Sequence, residues 1–206
     1  MKILIGMPSL TGQIPIGLVQ ALLTLKVKPE WTIDFSFTER VLIDRARNAI
    51  AETMLNKGFD YLMFCDDDQI FPVDILEKMI ELDKDIVTAP IADRNGEGTI
   101  ALFDGNLEPI KSCQTTQQVR ACGLSATLIK RKVLEEVALK YGVPFRFEKK
   151  KVNGKSQSLG EDVNFCLRAR ELGFEIWAIP MLIWHIGQRI GYGYDPIANE
   201  IVNTLI

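Results

Sequence analysis

Three consecutive aspartates, Asp66, Asp67 and Asp68, close the apolar run YLMFC that starts at Tyr61, and Pro72 follows shortly after. The run has the length of a buried strand. Successive strand side chains point to opposite faces, so Asp66 and Asp68 are expected on one side and Asp67 on the other. Two carboxylates on one side of a buried strand end repel, and a proton, a cationic side chain or a metal ion must relieve them. They are hard oxygen ligands, which suits Mg²⁺ or Mn²⁺, above all where a substrate diphosphate completes the shell. An acidic turn that only caps the next helix would need one carboxylate.

Other chemistry-bearing residues are spread along the chain. Arg45, Arg47 and Asn48 lie on a helical stretch and divide between a solvated face and a role near an anion, for which Arg45 and Asn48 are the candidates. Arg94, in the glycine-rich segment IADRNGEGT, divides evenly between a solvated loop arginine and one that reaches a phosphate. Lys149, Lys150, Lys151 and Lys155 surround a glycine. Such a run is either a solvated surface or a mobile lid over a diphosphate. Ser158-Leu-Gly-Glu161 reads as a capping box, which accounts for Glu161 and leaves Asp162 over. His185, the only histidine, sits in the apolar company of LIWHIG, where packed histidines are common.

The elements that must position these residues follow from periodicity. Lys2–Pro8 and Trp31–Phe37 read as strands, with an apolar helix over Ile16–Leu25 between them. Thr38 precedes a helix of about five turns that Gly58 ends. Pro72 suits a first helical position before Val73–Leu82, and Asp85–Pro90 reads as a third parallel strand. Strand–helix alternation argues for a parallel sheet, whose ligands bind at the carboxyl ends of the strands. From Thr99 to Lys130 short extended pieces replace the helices, which points to antiparallel additions. Arg131–Tyr141 is a helix closed by Gly142, and a further helix runs from the Ser158 box to Gly173, followed by a strand over Phe174–Pro180.

Composition sets the outer bounds. The chain has 206 residues, 47% hydrophobic and 25% charged, which is enough for one α/β core. A net charge of −3 gives no general affinity for nucleic acid, so an anionic ligand needs locally placed cations. No segment approaches a membrane span, and MKILIGMP lacks a signal-peptide core, so a cytoplasmic location is expected. The four cysteines show no CxxC spacing, and three of them sit in apolar surroundings and read as buried thiols, against a zinc site.

Taken together, RARNAIAETMLNKGFDYLMFCDDDQIFP, DIVTAPIADR, ACGLSATLIKR, GEDVNFCLRARELGFEIWAIP and the late HIG occur in an order that resembles the GT-A-type nucleotide-diphospho-sugar glycosyltransferases, in particular small, single-domain, inverting ones. The resemblance covers most of Arg45–Gly187. It implies one α/β domain over residues 1–206, with a Rossmann-like, mostly parallel central sheet flanked by helices and a small antiparallel addition. It assigns Asp66 and Asp68 to the DxD positions, the second on the divalent metal and the first, with Asp67 beside it, on metal, ribose or donor sugar. His185 matches the histidine that completes the metal shell, and Asp162 the general base. Pro8 and Ser9 match the nucleoside-contact region, and Gly123 the glycine near the acceptor. The implied partners are a UDP- or GDP-type sugar donor and a hydroxyl-bearing acceptor: a glycan, a lipid-linked molecule or a small one.

The sequence departs from the family in two places. The second strand ends in FSFTER rather than an aspartate-bearing turn, so no base is implied. Gln188-Arg189 is followed by Ile-Gly-Tyr rather than a QxxRW signature, which points to non-processive transfer; little chain follows His185 for a separate acceptor domain. Two other readings stay open. A haloacid-dehalogenase-type phosphohydrolase would use Asp66 as nucleophile, and a catalytically silent nucleotide-binding module would keep the aspartates without needing a base.

Overall fold

The computed structural model describes residues 1–92, 100–152, 155–186 and 190–205. In chain order the elements are β1 (Lys2–Ser9), α1 (Ile16–Leu23), β2 (Thr32–Glu39), α2 (Ile43–Lys57), β3 (Tyr61–Cys65), β4 (Gln69–Ile70), α3 (Ile75–Glu81) and β5 (Ile86–Thr88). There follow β6 (Leu102–Phe103), β7 (Gln117–Val119), β8 (Ala121–Cys122), β9 (Ala126–Lys130), α4 (Arg131–Tyr141), β10 (Glu148–Val152) and β11 (Lys155–Leu159). The last are α5 (Glu161–Glu171), β12 (Ile176–Ala178), β13 (Trp184–Ile186), β14 (Ile190–Asp195) and β15 (Glu200–Leu205).

Seven strands form the central sheet in the order β2-β1-β3-β9-β5-β12-β7. β1 runs parallel to β2 and β3, and β12 parallel to β5. β9 and β7 run the other way. Side-chain alternation feeds two cores. Leu4, Leu62, Phe64, Ile86 and Ile129 meet α2, α4 and α5 on one face, while Ile3, Ile5, Met63, Val87 and Leu128 meet α1 and α3 on the other. The α/β architecture expected from the alternation is the one observed, with β15-β14-β13-β4 as the small antiparallel addition.

Several local readings change. The strand expected over Asp85–Pro90 is the shorter β5, and it does not touch β3, because β9 inserts between them. β9 is buried over its first four residues, and its Thr127 hydroxyl meets that of Thr88 at 2.9 Å, so two polar groups sealed from water satisfy each other. The helix expected straight after Thr38 waits until Ile43, since β2 stays paired with β1 through Ser9↔Glu39. It ends, as expected, on Gly58 in the left-handed conformation. α3 begins at Ile75 behind Asp74 rather than at Pro72.

The basic stretch read as a loop is an antiparallel hairpin, paired from Glu148↔Leu159 to Val152↔Lys155. Ser158 is therefore held in β11, and the capping box does not form: Gly160 precedes α5 and makes no side-chain cap. Among the described residues no helix is long and apolar enough to cross a membrane. All four cysteines are buried free thiols.

Phe145 ties the hairpin to the sheet. Its ring packs edge-on against Phe64 at 5.4 Å and against Phe165 at 4.6 Å, and none of it reaches water. Phe145→Ala should lower unfolding stability by about 3–5 kcal/mol, the range for a large core truncation, read as a shift of the urea midpoint at constant slope.

Candidate active site

β3 stops at Cys65, where the chain would otherwise carry three carboxylates into a buried sheet, and Asp66–Asp68 form the turn into β4. The expectation that Asp66 and Asp68 share one strand face is therefore corrected. Each aspartate takes a different partner, which separates the like charges. Asp66 Oδ1 accepts from Arg47 Nη2 at 3.2 Å, Asp67 Oδ2 accepts from the Ser9 hydroxyl at 2.5 Å, and Asp68 Oδ2 lies 3.3 Å from His185 Nε2. Ser9 Oγ in turn accepts the Gly12 amide at 2.8 Å, so the loop after β1 is tied to the aspartate turn. Pro8 is buried inside β1.

His185 reaches Asp68 across 117 positions of sequence by strand pairing. β13 lies antiparallel to β4, with His185 opposite Gln69, and the Ile186 amide donates to the Asp68 carbonyl at 2.7 Å. His185 Nδ1 is 2.8 Å from the Ala92 carbonyl. A carbonyl only accepts, so Nδ1 carries the hydrogen, and a neutral ring directs the Nε2 lone pair toward Asp68. A lone pair facing a carboxylate is resolved by a proton or by a cation. Two ligands cis in an octahedron of about 2.1 Å bonds stand about 3 Å apart, close to the separation seen, so the pair fits one divalent cation. Among the described residues no group of three or more His, Cys, Asp or Glu can hold a metal.

α5 opens with Glu161 and Asp162. Glu161 is buried and its Oε1 lies 3.3 Å from Arg47 Nε. Arg47 is itself 3% exposed, sits 5.1 Å from the Phe64 ring, and so bridges the aspartate turn to the start of α5. It is the site residue that the sequence reading missed. The signal was there: Arg47 shares the helical spacing of Ile50, Ala51 and Met54, all buried on the inner face of α2. Arg45, one turn position away, is exposed. Asn48 spends its amide on the Phe145 backbone, accepting its N–H at 3.0 Å and donating to its carbonyl at 2.7 Å. Arg94 and the segment from Gly187 to Arg189 lie outside the described residues.

Asp162 Oδ1 accepts the Val163 amide at 2.7 Å. Burial pushes its carboxyl above the ordinary aspartate range, against the pull of that amide and of Arg47; Glu161 is raised by burial too. Gly123 faces it: a Cβ there would stand 3.1 Å from Ala101 and 3.9 Å from Asp162 Oδ2. Cys65, next to the aspartates, is no nucleophile, since burial holds its thiol well above the ordinary value.

Two clefts flank this arrangement. One, of about 500 Å³, lies between the loop carrying Thr11, Gln13 and Ile14 and the carboxylates of Asp67 and Asp68. The other, of about 310 Å³, is walled by Ile91, Ile100 and Phe103 and holds Gly123, Asp162 and His185. They meet where Asp68 of the first touches His185 of the second.

No protein-family model and no curated protein matches this sequence. Solved structures do match in shape. A197 from STIV is 21% identical, with a TM-score of 0.67 over 98% of this chain and 93% of that one. TarS from S. aureus, residues 1–349 in complex with UDP, is 12% identical, with a TM-score of 0.54 over 87% of this chain and 58% of that one. The fold is GT-A-like. At these identities the likeness is one of fold.

Two measurements test this geometry. Arg47→Met leaves Glu161 buried without its cation and should destabilise the protein by about 3–5 kcal/mol, whereas exposed Arg45→Met should change stability by less than about 0.5 kcal/mol. For Asp162 the sign runs the other way. A carboxyl raised in the folded state binds its proton more tightly there, so folding stability falls as pH rises from about 3.9, the unfolded value, through the raised folded one. Asp162→Asn keeps the acceptor for the Val163 amide and loses that charge. Its melting temperature should match wild type at the acid end and exceed it at neutral pH; a constant difference across pH would remove the buried-charge account.

Proposed function

We propose that this chain transfers a sugar from a nucleoside diphosphate of the UDP or GDP type to an acceptor hydroxyl, with a divalent metal, inversion and no processivity. The observation that carries the reading is the Asp68–His185 pair at the junction of two clefts, with Asp162 in the second of them. The GT-A-like fold shared with UDP-bound TarS supports it.

In this reading the cleft beside Asp67 and Asp68 takes the nucleoside diphosphate, and Ser9 fixes Asp67 there. Asp68 and His185 hold Mn²⁺ or Mg²⁺, which supplies Lewis-acid stabilisation of the charge developing on the departing β-phosphate. Asp162 accepts the proton of the acceptor hydroxyl, and its raised affinity for protons makes it the stronger base. As the acceptor oxygen bonds to the anomeric carbon, the bond from that carbon to the phosphate oxygen breaks. The nucleoside diphosphate leaves with the electron pair, and the proton stays on Asp162. One displacement inverts the centre and needs no enzyme nucleophile.

Calorimetry with UDP and GDP should show binding in Mn²⁺ or Mg²⁺ that EDTA removes; equal binding in EDTA would end the metal reading. His185→Ala should weaken Mn²⁺-dependent binding while the fold persists. Asp162→Asn should leave nucleotide affinity intact and lower transfer by about two to four orders of magnitude. Full turnover in that variant would remove Asp162 as the base. Free phosphate released from a phosphomonoester and abolished by Asp66→Asn would favour a hydrolase.

A further inference from the structure

A third cleft, of about 470 Å³, opens on the far end of α5. Arg120, Lys150, Lys151 and Arg170 line it against a single acid, Glu171, over an apolar floor of Leu107 and Leu167. The cations come from three separate places in the fold: the link between β7 and β8, strand β10 and helix α5. The chain as a whole carries net charge −3, so this concentration of positive charge is local. It is also poorly neutralised. Among the described residues Arg120 and Lys151 have no ion pair, and Lys150 stands 3.7 Å from Glu148 and 3.8 Å from Glu171, both loose contacts.

Two backbone bonds hold the cleft in shape. Arg170 Nη1 donates to the Val119 carbonyl at 3.2 Å, which fixes one edge of its guanidinium and leaves the other edge to a ligand. The Arg120 amide donates to the Phe103 carbonyl at 2.9 Å. Phe103 walls the cleft that contains Asp162, so this backbone bond joins the linings of the two cavities. The helix links them as well. Arg170 follows Asp162 by eight positions on α5, about 12 Å along the axis and a little under a quarter-turn around it. The cleft at Asp67 lies on the other side of the Asp68–His185 pair.

We propose that the cleft of Arg120, Lys150, Lys151 and Arg170 binds phosphate groups of the acceptor whose hydroxyl Asp162, about two turns earlier on α5, deprotonates. The acceptor role rests on the transfer reaction proposed above; the anion site stands without it. Arginine forks with flexible lysines beside them match phosphate oxygens, and a concave wall keeps salt from screening them as it would on an open surface.

The first test uses inorganic tripolyphosphate in EDTA, where no metal draws it to the aspartate turn. Wild type should bind, and the double variant Arg120→Gln/Lys151→Gln, altered only at exposed positions, should bind at least about tenfold more weakly with its melting temperature and its Mn²⁺-dependent UDP binding unchanged. Equal binding by the two proteins or no binding by wild type would each overturn the site. The second test compares transfer to a phosphorylated trisaccharide, long enough to reach both clefts, and to the same trisaccharide without phosphate. Wild type should prefer the phosphorylated acceptor, and the double variant should lose that preference while keeping its rate on the neutral one. No preference in wild type overturns the acceptor role. If neither acceptor is glycosylated while tripolyphosphate binding still depends on Arg120 and Lys151, the transfer reading and the acceptor role fail and the anion site remains.

Discussion

A guanidinium removed from water needs opposite charge around it, and Arg47, at 3% exposure, finds it in two carboxylates from distant parts of the chain, with Nη2 alone making a hydrogen bond. Asp66 ends the central strand β3, and Glu161 starts α5. Without the cation between them, a part-buried and a buried carboxylate would face each other at the base of the cleft. With it, the turn that carries Asp67 and Asp68 is referenced to the helix end that carries Asp162. The Phe64 ring beneath adds a face that favours the cation and blocks water. Breaking such a buried pair is costly because a charge is left behind, so this one interaction fixes the distance between the two halves of the site.

The second long-range device is strand pairing. β4 is only Gln69–Ile70, too short to be stable alone, yet it gives β13 an edge, and that edge sets His185 beside Asp68. β14 and β15 continue the small sheet beyond it. The same logic explains Ser9. β1 ends beside β3 in parallel register, so the residue leaving one strand meets the turn leaving the other. Polar side chains gather at these strand ends because that is where backbone leaves the sheet and polar groups can face solvent.

Much of this was legible in the sequence, and what was not has a physical reason. Strands such as β1 and helices such as α4 carry their period in their own residues, and the order of Asp66–Asp68, Asp162 and His185 along the chain pointed to one site. Local pattern says nothing, however, of which strand lies next to which, so the insertion of antiparallel β9 between β3 and β5 could not be read from it. Three adjacent aspartates were read with strand geometry, although their mutual repulsion is a reason for the strand to stop before them. The Lys-rich stretch was judged by its charge. Its Asn153-Gly154 dipeptide, itself outside the described residues, is a hairpin signal that composition concealed. Arg45, Arg47 and Asn48 were weighed together, and Arg45 was chosen over Arg47 although only Arg47 has the phase of the buried face.

Asp162 shows how the fold sets a proton affinity by opposing terms. A carboxylate in the first turn of a helix is stabilised by the helix dipole and by free amides, here that of Val163, and Arg47 adds an attractive charge. All three favour the ionised form. Burial opposes them and outweighs them, since the net displacement is upward. Gly123 then decides access. With no Cβ beyond its backbone, it leaves the cleft open in front of Asp162, whereas a methyl group at that position would press on Ala101 at 3.1 Å and narrow the approach to the carboxylate. Burial on one side and a residue without a Cβ on the other thus leave the Asp162 carboxyl with a raised proton affinity and an open front.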